Sequence, residues 1–199
     1  MKNRSERFDT ALKLFDAANS EDTHLEVHEG KEYPKELLYA LRMSDWLEKF
    51  EPDASEALQL AARCQHIHRW KIPRERYPMD RKGYHVWRTT LKKYHSDIAG
   101  AILTEAGYDQ QTINQVKSLL LKEKLKINPD MQTLEDVICL VFLNYYFKDF
   151  SRKHDDEKLV EIIRRTWKKM SAKGHEFALN LSFGPREEKV IHEALKLQN

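Results

Sequence analysis

Glycine and proline are scarce, six of each in 199 residues, and with them the turns that punctuate sandwiches and barrels. Strand-like alternation is equally rare, so an all-β protein is excluded and an all-α one is expected. Only two cysteines occur. Cys64 and Cys139 have no CxxC neighbour and sit among apolar residues, which excludes a disulfide framework and reads as free, buried thiols of a reducing compartment. The longest apolar run, Val137 to Leu143, is far too short to cross a bilayer, so no membrane partner is expected. The N-terminus has no charged segment leading into an apolar one, which argues against secretion and makes the cytoplasm the expected compartment. A formal net charge of +2 is too small to imply nucleic acid by itself. What is present, 41% hydrophobic and 33% charged residues, excludes a disordered chain and suffices for a real core.

Helical periodicity organises the rest. A first helix is expected over about Ser5 to Ala18, with Phe8, Leu12 and Phe15 as its stripe. His24, Glu26, His28 and Glu29 follow in what reads as a surface loop closed by Gly30. Pro34 starts a second helix carrying Leu37, Leu38, Leu41, Trp46 and Leu47 to Phe50. Ser55 or Asp53 caps a third, which leads into Ala61-Ala62-Arg63-Cys64-Gln65-His66-Ile67-His68-Arg69-Trp70. Arg74 to Gly83 is a basic loop. Tyr84 to Ala106 is a long helix with Trp87, Leu91, His95, Ile98 and Ile102 on one face, ended by Gly107. Asp109 opens a helix to about Leu125, and Asn128-Pro129-Asp130 opens another through the apolar run to Phe147. Lys148 to Asp156 is a polar break. Leu159 to Met170 and Glu176 to Leu197 add helix interrupted by Gly174 and Gly184-Pro185. No repeat or boundary is visible, so one domain of residues 1–199 is expected, with a core of about 34–148 and the helices of 156–197 packed on it.

The helix end at Ala61 to Trp70 concentrates polar side chains directly after small apolar ones. His95 faces inward on its helix, and Glu135-Asp136 opens the most apolar segment. Imidazoles and a carboxylate from three helices satisfy one another most simply around a divalent cation, so His66, His95 and Asp136 are candidate ligands for Mn, Zn, Mg or Fe. A metal-free hydrogen-bonded network is the structural alternative. Glu135 and Asp136 are candidate catalytic carboxylates. The dipeptide His154-Asp155 falls in a loop and counts for little without structural context.

A second constellation is basic and aromatic. Gln65, Arg69, Trp70, Arg81, Tyr84, Trp87 and Arg88, with Lys124 at the rim, suit an anionic, nucleotide-like small molecule: guanidinium groups pair with phosphate and rings stack on a base. Nucleic acid stays open as a partner, and a solvated basic loop is the plain alternative. Lys169-Met170-Ser171-Ala172-Lys173 is similar to the KMSKS loop of class I aminoacyl-tRNA synthetases, but the HIGH signature and nucleotide-binding sheet of those enzymes are missing.

At AARCQHIHRW (61–70), Tyr77-Pro78, Gly83-Tyr84, Trp87-Arg88, His95, Gly107-Tyr108, LEDVICLVFL (134–143) and TWKKMSAKG (166–174) the chain resembles the DUF4202 family of uncharacterised proteins. More distantly it is similar to the HD superfamily of helical, metal-dependent phosphohydrolases. In that comparison Gln65-His66 stands where the family has His-Asp, Asp136 matches the later Asp, and His95 matches an auxiliary His. The His of the first family helix has no counterpart between Leu37 and Trp46. The resemblance implies a helical HD-like bundle and hydrolysis of a phosphate-containing substrate by metal-bound water, with Glu135 as a base and Arg69, Arg81 or Arg88 on the phosphate. Because two family ligands are altered, a non-catalytic binding module for an anionic ligand or a protein partner is the other reading.

Overall fold

The computed structural model describes residues 5–123 and 127–196. It divides into two compact units, Met1–Met131 and Gln132–Asn199. The fold is mostly helical: ten α-helices and one small antiparallel pair of strands occur among the described residues. No helix among them is long and apolar enough to cross a membrane.

In the first unit, helix α1 (Glu6–Ser20) starts at Ser5, whose hydroxyl accepts the Phe8 N–H, and buries Phe8, Ala11 and Phe15. The segment expected as a loop is instead a hairpin of β1 (Leu25–His28) and β2 (Lys31–Pro34), with Leu25 opposite Pro34 and His28 opposite Lys31. Its two-residue turn needs φ > 0 at both central positions, supplied by Glu29 at 50° and Gly30 at 75°. The strands are short and polar, so periodicity does not declare them. A tertiary contact secures them: the buried Arg42 pairs with Glu26 and lies 3.4 Å from His28 Nδ1.

Arg42 belongs to helix α2 (Lys35–Phe50), whose first turn is held by Asp22: Oδ2 accepts the Glu36 N–H at 3.2 Å. Its buried face runs through Glu36, Tyr39, Ala40, Met43, Trp46, Leu47 and Phe50, at helical spacing. Leu37 and Leu41, expected on that face, are only half-buried. Helix α3 (Glu56–Arg63) is capped by Ser55, which accepts from Leu58 N, and is buried almost throughout against α1, α2 and α5. Helix α4 (Arg81–Glu105) starts at Asp80 and packs along α5 (Gln110–Leu121), which starts at Asp109. Helix α5 ends at Leu121, where Lys122 takes φ 61° and closes it, short of the end expected near Leu125.

The division between the units falls inside α6 (Pro129–Val141), so the apolar run is helical, as its length and context imply. It continues through one π turn (Phe142–Tyr146) into α7 (Phe147–Ser151), where a polar break was expected. Helices α8 (Asp156–Trp167), α9 (Ala172–Leu179) and α10 (Pro185–Lys196) follow, with α8 packed on α10. Asp155 caps α8 by accepting the Lys158 N–H at 2.8 Å, which accounts for the His154-Asp155 dipeptide.

Candidate functional site

Helix α3 stops at Arg63, short of the polar cluster that sequence periodicity attached to it. The Arg63 guanidinium turns back to donate to both Asp16 oxygens at 2.7 Å and to Ser44 at 3.2 Å. Beyond it the chain is a succession of turns. His68 adopts φ 54°, an uncommon conformation for a non-glycine residue, and its N–H donates to the buried Asn19 side chain at 3.2 Å. A single 3₁₀ turn, Arg69–Lys71, follows. This reversal presents His66 and Arg69 together.

They meet a residue that sequence reading passed over. Glu36, only 6% exposed, lies with Oε2 3.3 Å from His66 Nδ1 and Oε1 3.7 Å from Arg69 Nε. Arg69 donates to His66 Nε2 at 3.4 Å, and Tyr39 stacks under the imidazole at 4.0 Å. His95 of α4 completes the group, its ring centroid 6.0 Å from that of His66. His95 is 4% exposed; Nδ1 lies 2.7 Å from the Ile67 carbonyl, and Nε2 has no hydrogen-bond partner among the described residues. The Arg69 guanidinium covers Trp87 at 4.8 Å, and the Trp87 indole N–H donates to Ile72 O at 2.9 Å.

The electrostatics of this group are uneven. Burial pushes the Glu36 carboxyl up to about 7, against the pull of Arg69 and Lys35. Burial holds the His66 imidazole well below its ordinary value, helped by Arg69, Arg88, Lys122 and Lys35. His95 falls to about 3, first through burial and then through His66. At neutral pH both imidazoles are therefore uncharged. Glu36 is the carboxylate partner in a cluster whose His66 feels four cations.

The sequence profile of a domain of unknown function, DUF4202, matches residues 9–191. The chain belongs to the DUF4202 family. No curated protein and no solved structure matches it. The membership resting on AARCQHIHRW and LEDVICLVFL thus holds, while the likeness to HD phosphohydrolases gains no structural match.

Of the residues singled out in this DUF4202 chain, His66, Arg69 and His95 come together near Glu36, with Trp87 under the Arg69 guanidinium. Gln65 is buried, with Oε1 lacking a hydrogen-bond partner among the described residues. Trp70 packs edge-on against His68 at 5.1 Å. Tyr84, 5.9 Å from the Trp87 ring, is exposed, as is Arg81; Arg88 donates to the Tyr84 hydroxyl at 3.5 Å. Lys124 lies outside the described residues. Glu135 and Asp136 are buried on α6 in the second unit. There Asp136 accepts from Ser171 twice, Oδ1 from the N–H and Oδ2 from the hydroxyl, both at 2.7 Å. That carboxylate also explains the KMSAKG sequence. Ser171 caps α9, and a Cβ on Gly174 would fall 2.4 Å from Asp136 Oδ1, so only glycine fits. Among the described residues no group of three or more His, Cys, Asp or Glu is disposed to hold a metal ion.

Glu36 had a readable signal: it occupies the apolar face of α2, in register with Tyr39, Ala40 and Met43. An acid in a first helical turn is commonplace beside the helix dipole, which masks it. A separate groove of about 1150 Å³ in the same unit is lined by Asp9, Asp45, Glu48, Glu51 and Glu56. Its charge is of the wrong sign for the anion that the basic segment suits.

Proposed function

We propose that the protein binds a phosphate-bearing, nucleotide-like small molecule at Glu36, His66, Arg69 and His95 and hydrolyses it. The observation that carries this reading is a cluster of one buried carboxylate, a buried and a half-buried imidazole, both uncharged, and the Arg69 guanidinium, with Arg88, Lys35 and Lys122 acting on His66. Guanidinium and ammonium groups on a partly desolvated surface are where a phosphate gains most from charge-assisted hydrogen bonds. Arg69 is only 27% exposed and lies 3.7 Å from Glu36, too far for a short charge-assisted bond, so its donors can turn toward a phosphate. Glu36 is the group placed to exchange a proton with an attacking water or a leaving oxygen. The HD-like reading of the helices supplies the reaction class by resemblance.

Neutral imidazoles and a carboxylate are chemically apt donors for a divalent cation. The described residues do not assemble three of them around one point, so no step is assigned to a metal here.

Phosphate release by the pure protein is the direct assay. Nucleoside mono-, di- and triphosphates and sugar phosphates are supplied with chelator and with Mn²⁺, Zn²⁺ or Mg²⁺. Release that disappears in Glu36→Gln supports the reading, and dependence on an added cation would assign a metal role. Binding without release would establish instead the non-catalytic module. Neither binding nor release would overturn both.

A further inference from the structure

Resting on the phosphate-site reading, we propose that the ligand carries a neutral hydroxyl group that it donates to Nε2 of His95. Its substrates are then phosphorylated hydroxy compounds, such as polyol, sugar or ribonucleoside phosphates, rather than simple alkyl phosphates.

The Ile67 carbonyl can only accept, so at 2.7 Å it fixes the His95 ring proton on Nδ1 and leaves Nε2 as a lone pair. That lone pair is in a side chain 4% exposed and has no hydrogen-bond partner among the described residues. Leaving a buried acceptor unmatched is unfavourable, and a ligand donor would relieve it. Gln65 Oε1, in a residue 8% exposed, is a second unmatched acceptor two residues before Ile67. Phosphate oxygens are acceptors and cannot fill either position. The Arg69 guanidinium, which acts on both imidazoles, disfavours a cationic donor. Of the neutral donors, a hydroxyl is the one that phosphorylated small molecules most commonly carry. The 6.0 Å between the His66 and His95 rings leaves it close to where Arg69 would hold the phosphate.

Matched ligands test this by calorimetric titration: AMP against 2′,3′-dideoxy-AMP, and glycerol 3-phosphate against propyl phosphate. The hydroxylated member of a pair should bind at least ~10-fold tighter to the wild type, the share of affinity one matched buried acceptor supplies. His95→Phe, which keeps a ring and removes the acceptor, should bring each pair to within about 2-fold, and His95→Gln, which restores an acceptor, should recover part of the preference. Equal binding of both members by the wild type would overturn the hydroxyl inference while leaving the phosphate site standing; this is also the result if a buried water meets Nε2. A preference that survives in His95→Phe would overturn the role of His95. No binding of any of the four would overturn the phosphate reading itself. If His95→Phe fails to fold, the wild-type pairs still decide.

Discussion

Each unit of this protein buries a carboxylate on a helix, Glu36 in the first turn of α2 and Asp136 in the middle of α6, and the two are treated in opposite ways. Asp136, in the second unit, gives both oxygens to Ser171 at 2.7 Å and is pressed against Gly174. Glu36, in the first, has an imidazole at 3.3 Å and a guanidinium at 3.7 Å, neither a short charge-assisted bond. A well-matched buried carboxylate pins a helix; a loosely matched one is held ready for something else. The contrast explains why Glu36 rises to about 7 even with Arg69 beside it.

Mutations sharpen that contrast, beginning with the largest effect. Glu36→Gln should stabilise the protein at pH 8 by on the order of 3 kcal/mol, because a shift from 4.5 to about 7 penalises the charged folded state by that amount. The wild-type group favours folding fully below its unfolded value of 4.5 and loses that contribution as pH rises through 7. Urea melts of variant and wild type should therefore converge near pH 4.5 and diverge at pH 8. Stabilisation with loss of phosphate release would mark a functional strain. Identical melts at both pH values would put Glu36 among ordinary surface acids.

In the second unit the sign reverses. Gly174→Ala sets a Cβ 2.4 Å from an oxygen that two hydrogen bonds hold in place, and should cost about 2 kcal/mol in a thermal or urea melt, after the helix gain of alanine. Ser171→Ala removes one donor to Asp136 and the α9 cap together, for about 1–2 kcal/mol. An unchanged melting point in both would mean that the Asp136 clamp carries no stability.

The acid limb probes the imidazoles. Below the ordinary value of 6.5 an unfolded chain protonates His66 and His95, whereas the folded one resists, so stability present above 6.5 is lost as pH falls. His95→Gln should flatten that limb by about 1 kcal/mol or more between pH 6 and 4, read from the pH dependence of urea midpoints. The smallest expected effect is Gly30→Ala, about 1 kcal/mol for forcing alanine to φ 75° in the hairpin turn.

Local chemistry made much of the fold legible. Ser55 and Asp109 cap the helices they were expected to cap, Gly107 takes φ 81° after α4, and both cysteines are buried thiols outside any disulfide. Trp87, Leu91 and His95 face inward together because they share a helical stripe. What escaped was set by tertiary contacts. The hairpin is held by Arg42, sixteen residues beyond Glu26. Helix α3 ends early because Arg63 reaches Asp16 and His68 reaches Asn19, neither of which local pattern contains. The site was half visible for the same reason: His66, Arg69 and His95 stand out as polar residues in apolar settings, but Glu36 joins them only once α2 is in place. Asp136 is as buried as His95, but its oxygens accept from Ser171.

The measurement that bears most directly on the central claim is the affinity for AMP of wild type, Arg69→Ala and Ser171→Ala under identical salt. Arg69→Ala, losing a charged hydrogen bond to phosphate, should bind about 10-fold or more weakly, while Ser171→Ala, though less stable, should bind as the wild type does. Equal affinity in wild type and Arg69→Ala would contradict that claim.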